Sequence, residues 1–219
     1  MRTFDKSMKT LTLCAWVLLV LGFPLIEQGR AAGLTWHASR AEAVTAARNS
    51  AKLILLLAGR DTCGNCTYMK TTVCESPAVR ALIDGNYVCW YCPIDYSSEW
   101  EAYRGGLGGF TLPLICVIDP GDPLNYLDRS TSIQAISVFQ PRLLDHLPTS
   151  EIRASPILAS GAPRLLWPGE SLFRYRVLES TDFAAWRFVG ALVHGGGSPI
   201  EFTGVSADTP RFYRVMGFK

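Results

Sequence analysis

Apolar residues open the chain with a run over residues 11–26 and then fall into short blocks whose spacing predicts the elements. Ala43, Val44, Ala47 and Ala51 recur at helical spacing behind Ser39-Arg40-Ala41-Glu42, an arrangement in which Ser39 caps the first turn and Glu42 reaches back to the capping amide. The pattern predicts a helix over residues 40–49. Leu53-Ile54-Leu55-Leu56-Leu57 has no polar alternation, which suits a central strand covered on both faces. Residues 67–73 read as a helix. Ser76-Pro77 starts another, with proline at the first helical position, and it stops at Asp84-Gly85. A second strand is predicted over residues 87–94. Ser97-Ser98-Glu99 begins a short helix that ends in the glycine cluster of residues 105–109. Phe110-Thr111-Leu112-Pro113 leads into a strand over residues 114–118, and a Pro-Gly-Asp turn follows. Tyr126-Leu127 reads as a short edge strand and residues 133–146 as a closing helix. Strands alternating with helices describe an α/β sandwich over residues 33–147. Residues 148–161 read as a Pro, Ser and Ala-rich linker. Beyond it, strand-like runs at residues 172–178, 186–193, 200–205 and 212–218 predict a second, smaller all-β domain over residues 162–219.

Charge narrows the function. The net charge is +2 and the basic residues are scattered, so the electrostatic footprint of a nucleic-acid binder is missing. Arg2, Lys6 and Lys9 precede the opening apolar run, and Ala31, Ala32 and Gly33 follow it, which is the layout of an export signal over residues 1–32 cleaved after Ala31 or Ala32. Gly22 and Pro24 leave that run short of the ~20 apolar residues of a membrane span, so no stable span is expected after cleavage. The expectation is a periplasmic, extracellular or cell-surface protein. Cys14 leaves with the signal, and Cys63, Cys66, Cys74, Cys89, Cys92 and Cys116 remain in a compartment that permits disulfides.

The chemistry centres on Cys63-Gly64-Asn65-Cys66, placed after the buried strand and at the opening of a helix. Free amides and the helix dipole stabilise a thiolate on the first cysteine, and the second sits one turn on, within reach to resolve a mixed disulfide. Cys63 is the expected nucleophile and Cys66 the resolver. Such a dithiol carries two electrons itself, so no cofactor is required; the expected partners are protein thiols or disulfides and a redox partner.

With Thr111-Leu112-Pro113 before a later strand, the chain over residues 34–147 resembles the thioredoxin superfamily, in particular its exported members. The resemblance implies a three-layer sandwich with Pro113 cis beside the dithiol and the backbone of Leu112 available to an extended substrate. It departs from thioredoxin at Thr62, where thioredoxin has Trp, at Asn65, where it has Pro, and at Leu57, where it buries an Asp. Without that carboxylate the direction of exchange stays open. Arg60 and Asp61 read as solvated loop charges.

Cys89 and Cys92 form a second Cys-x-x-Cys, but in a strand residues three apart point to opposite faces. Three readings stand for the remaining cysteines. They are small buried hydrophobes, or Cys74 is joined to Cys89 or Cys92, or Cys63, Cys66, Cys89 and Cys92 hold zinc. His37, His146 and His194 form no catalytic set. The tail, with Phe173-Arg174-Tyr175-Arg176-Val177, Ser180-Thr181-Asp182, Trp186 and Arg211-Phe212-Tyr213-Arg214-Val215, resembles the loosely fibronectin-like modules at the carboxyl ends of some bacterial secreted and surface proteins. That resemblance implies a surface, glycan or protein ligand, and with it an alternative in which a redox-inert or zinc-stabilised fold serves adhesion.

Overall fold

The computed structural model describes residues 33–152, 155–157, 162–205 and 210–218. The expected export signal lies outside them. A central sheet is built from β1 (Trp36–His37), β2 (Leu53–Gly59), β3 (Tyr87–Pro93), β4 (Leu114–Ile118) and β5 (Asp128–Thr131), in spatial order β1-β3-β2-β4-β5. β3 runs parallel to β1 and β2, while β4 is antiparallel to β2 and β5. Every residue of β2 is buried, as its unbroken apolar run requires.

One face of the sheet is covered by α1 (Arg40–Ser50) and a 3-10 turn over Glu99–Tyr103, which enclose Ile54, Leu56, Trp90, Cys92 and Cys116. The other face is covered by α2 (Gly64–Tyr68), the π-helical segment Met69–Val73 that continues it, α3 (Pro77–Asn86) and α4 (Ile136–Leu144), over Leu55, Leu57, Cys89 and Val117. This is the three-layer sandwich expected. Ser39 caps α1 by accepting from Glu42 N at 3.3 Å, and Glu42 accepts from Ala38 N at 3.2 Å, one residue earlier than the capping amide.

The differences from the sequence reading have local causes. α2 starts at Gly64, because Cys63 itself is the cap residue. At the sheet edge, the Leu127 amide bonds to Val117 O at 2.8 Å and the ladder continues through polar residues 128–131, where backbone pairing needs no apolar side chains. α4 begins only at Ile136, since Ala135 is extended and the Gln134 amide is held by Met69 Sδ at 3.3 Å.

The all-β region comprises β6 (Ser150–Ile152), β7 (Ser155–Ile157), β8 (Arg164–Trp167), β9 (Arg174–Ser180), β10 (Arg187–His194), β11 (Ile200–Thr203) and β12 (Phe212–Phe218). They form one sheet ordered β10-β9-β12-β6 and another ordered β11-β8-β7. Trp167, Tyr175, Val177 and Val215 from both sheets make its core. β6 and β7 fall in the stretch read as a linker. Leu172, read as the start of a strand, is exposed with φ 73°, and the pairing starts at Arg174.

Where the two regions meet, Arg176 of β9 is buried against Asp119, the residue after β4, and donates to Gly190 O at 3.1 Å. Burial, with Arg48 nearby, lowers the Arg176 guanidinium to about 10, which still leaves it charged at neutral pH. A charge in this position needs its counter-ion, so Asp119→Ala is expected to destabilise the protein by about 3 kcal/mol in urea unfolding, whereas Asp119→Leu combined with Arg176→Met recovers most of that loss.

Asp128 of β5 ties the sheet edge to α4. Burial alone raises its carboxyl, but His146 at 3.8 Å and Arg142 at 2.5 Å outweigh burial and hold it at about 2. A depressed carboxyl stabilises the fold above its unfolded value of about 3.9 and loses that contribution as pH falls toward the folded value. Acid titration of unfolding is expected to show a loss of about 1–2 kcal/mol between pH 4 and 2 that Asp128→Asn removes.

Candidate functional site

Strand β2 ends at Gly59, and the chain turns through Arg60-Asp61-Thr62 to Cys63, with the Cys63 amide bonding to Arg60 O at 3.1 Å. Cys63 and Cys66 are joined by a disulfide, with Cα atoms 5.2 Å apart. Cys63 is half-buried, whereas Cys66 is only 2 % exposed, so one sulfur is presented and the other is covered. The Cys66 amide points at Cys63 Sγ from 3.1 Å, a donor that favours negative charge on that sulfur when the pair is reduced.

Gly59 makes this packing feasible. A Cβ there would lie 2.6 Å from Cys66 Sγ and 3.0 Å from Cys66 Cβ, so any side chain would displace the covered cysteine. The signal for it was present as a glycine closing an apolar strand directly before the pair, which marks a close backbone approach.

Antiparallel pairing of β4 with β2 sets Leu114 beside Ala58, and so brings Pro113 to the sheet end from which Cys63 emerges. The Leu112–Pro113 peptide bond is cis, as the resemblance implied. Leu112 and Cys63 pack against the same core. The Ser132 amide bonds to both Thr111 O and Pro113 O at 2.9 Å, while among the described residues neither backbone group of Leu112 has a partner. A free N–H and C=O between two anchored neighbours is the arrangement that an extended peptide can pair with.

Arg60 and Asp61 are exposed, as expected of loop charges, and each also has a partner. Arg60 Nε lies 2.9 Å from Asp95 Oδ1, and the Tyr91 hydroxyl donates to Asp61 Oδ1 at 3.0 Å. Lys70 Nζ, on the π-helical segment, sits 4.3 Å from the Tyr91 ring centre and 5.4 Å from that of Trp36. Sequence reasoning missed Tyr91 and Lys70, because each is brought here only by the packing of β3 and the helix.

The other cysteines are separated by the sheet. Cys74 and Cys89 lie in the core beneath α2, α3 and α4, and Cys92 and Cys116 lie in the core beneath α1. Cys89 and Cys92 therefore face opposite ways, so the four-cysteine zinc reading fails on geometry, as does a bond between Cys74 and Cys92. Among the described residues no group of three or more His, Cys, Asp or Glu could hold a metal. All four carry buried free thiols. Burial pushes Cys74 and Cys116 up to about 12, and raises Cys89 and Cys92 as well.

Residues 35–120 match the model of a thioredoxin-like family. Similar solved structures include a thioredoxin from Thermus thermophilus, with 19% identity, a TM-score of 0.44, and coverage of 52% of this chain and 86% of that one. A mutant thioredoxin from Halobacterium salinarum NRC-1 has 13% identity, a TM-score of 0.36, and coverage of 51% and 88%. No curated protein matches the sequence. The chain thus carries a thioredoxin-like α/β domain followed by a separate all-β region.

Thiolates are the reactive form of cysteine, so the burial pattern predicts a clean division. After reduction, alkylation of the folded protein at pH 8 is expected to label Cys63 first and to leave Cys74, Cys89, Cys92 and Cys116 unmodified until denaturant is added, as read by peptide mass spectrometry.

Proposed function

We propose that the thioredoxin-like domain exchanges disulfides with protein thiols through Cys63 and Cys66. The observation that carries this reading is the bonded pair itself, with one sulfur presented and one covered, at the sheet end where the cis Leu112–Pro113 bond lies.

In the oxidising direction a substrate thiolate attacks Cys63 Sγ, the Cys63–Cys66 bond breaks, and Cys66 leaves as a thiolate that takes a proton. A second substrate thiolate then attacks the substrate sulfur of the mixed disulfide and releases Cys63. The substrate loses two electrons and two protons and gains a disulfide, and the protein gains the dithiol. The reverse sequence reduces a substrate disulfide, with the Cys63 thiolate as nucleophile and Cys66 as resolver, and needs a dithiol partner to regenerate the reduced pair. The unpartnered backbone of Leu112 supports alignment of an extended substrate next to Cys63.

Export through residues 1–32 fits this chemistry, since an oxidising compartment supplies protein disulfides as substrates. Among the described residues, the all-β region meets the sandwich at the Asp119 end of β4, opposite the Pro113 end that lies beside the dithiol. That placement supports a role for the region in attachment to a surface or partner.

Equilibration with glutathione or dithiothreitol, followed by thiol trapping and mass spectrometry, is expected to show a reversible two-electron couple at Cys63–Cys66. Cys63→Ser should abolish exchange with the fold intact, and Cys66→Ser should accumulate the mixed disulfide. Full exchange activity in Cys63→Ser would overturn the proposal.

A further inference from the structure

The carboxylate nearest in sequence to the presented sulfur belongs to Asp61, two residues before Cys63 in the loop that leaves β2. The turn closed by the Cys63 amide on Arg60 O carries Asp61 at its corner. A negative charge so placed opposes a thiolate on Cys63, against the Cys66 amide that favours it. Position 57, where the resemblance leads one to expect a buried carboxylate, is Leu, and its register partner on β3 is Tyr91. Tyr91 packs against the same core as Cys63 and Leu112, and its hydroxyl donates to Asp61 Oδ1 at 3.0 Å.

The other charges around Cys63 are already engaged. Arg60 from the same loop pairs with Asp95 beyond β3, and Lys70 from the π-helical segment lies over the rings of Tyr91 and Trp36. The cis-proline loop, residues 110–113, brings no charged group. Among the described residues, the Asp61 carboxylate accepts a side-chain hydrogen bond from one neutral donor, Tyr91.

We propose that Tyr91 is a positioning residue for the dithiol: it holds the Asp61 carboxylate on β3, so that this charge bears less on the Cys63 thiolate. The inference rests on the disulfide-exchange reading of the site. A hydrogen bond from a phenol draws in part of the carboxylate's charge and fixes its direction, whereas a carboxylate without that donor keeps its full charge two residues from the sulfur. Removing the phenol should destabilise the thiolate, removing the carboxylate should stabilise it, and with no carboxylate the phenol should have no effect.

The test uses the full chain after reduction, with the pH dependence of Cys63 alkylation by iodoacetamide followed by mass spectrometry. Wild type is first cycled between dithiol and disulfide. Tyr91→Phe, which keeps the ring in place, is expected to raise the midpoint of the alkylation profile by about half a pH unit, a shift of the size that partly screened charges give. Asp61→Asn is expected to lower the midpoint, and the double variant to match Asp61→Asn. A purely structural role for Tyr91 would change stability but leave the midpoint where it is. A wild type that cannot be cycled overturns the exchange reading and this inference with it. A wild type that cycles, with an unchanged or lowered midpoint in Tyr91→Phe, overturns the inference alone, as does a Tyr91→Phe effect that persists beside Asp61→Asn. If Tyr91→Phe does not fold, Asp61→Asn decides by itself, and an unchanged or raised midpoint overturns the proposal.

Discussion

Burial of β2 on both faces is the constraint from which the rest of the molecule hangs. Seven consecutive residues, Leu53–Gly59, are removed from water, and no residue among them carries a polar side chain. At roughly 25 cal/mol per Å² of apolar surface, such a strand anchors whatever is attached to its ends. Its Gly59 end delivers the loop to Cys63. Along its length, the antiparallel β4 sets Pro113 at that same end and Asp119 at the other. One strand pair thus separates the end that carries the Cys63–Cys66 bond from the end at which Arg176 ties in the all-β region.

The same burial sorts the thiols. Six cysteines lie within the described residues, and among them only Cys63, at the β2–α2 junction, is not buried. The four free thiols lie inside the two cores on either side of the sheet, where desolvation keeps them protonated and unreactive. Accessibility of the sulfurs is thus set without any chemical difference among the side chains. Position relative to the sheet is sufficient.

Much of this was legible because it depends on neighbours in sequence. The apolar run of β2, the Ser39 cap, Pro77 at the start of α3 and the Cys63–Cys66 spacing are local signals, and each produced the element it implies. Where local signals were weak the reading slipped. The edge strand β5 is polar, and edge pairing needs backbone groups rather than a side-chain pattern. The strands β6 and β7 fall among Pro, Ser and Ala, and they form because β12, from far along the chain, and the nearby β8 offer them partners. Arg60 and Asp61 are exposed, as read, and only their partners Asp95 and Tyr91, 35 and 30 residues away, were out of sight.

By itself the sequence determined the two-region organisation, the buried central strand and the dithiol at a helix start, since periodicity and spacing act within a few residues of chain. Only the tertiary structure decided that Cys89 and Cys92 face opposite cores, that Gly59 must be bare for Cys66 to pack, and that Tyr91 meets Asp61. Those facts depend on strand register and on which surfaces touch. They emerge when segments distant in sequence compete to bury the same apolar faces.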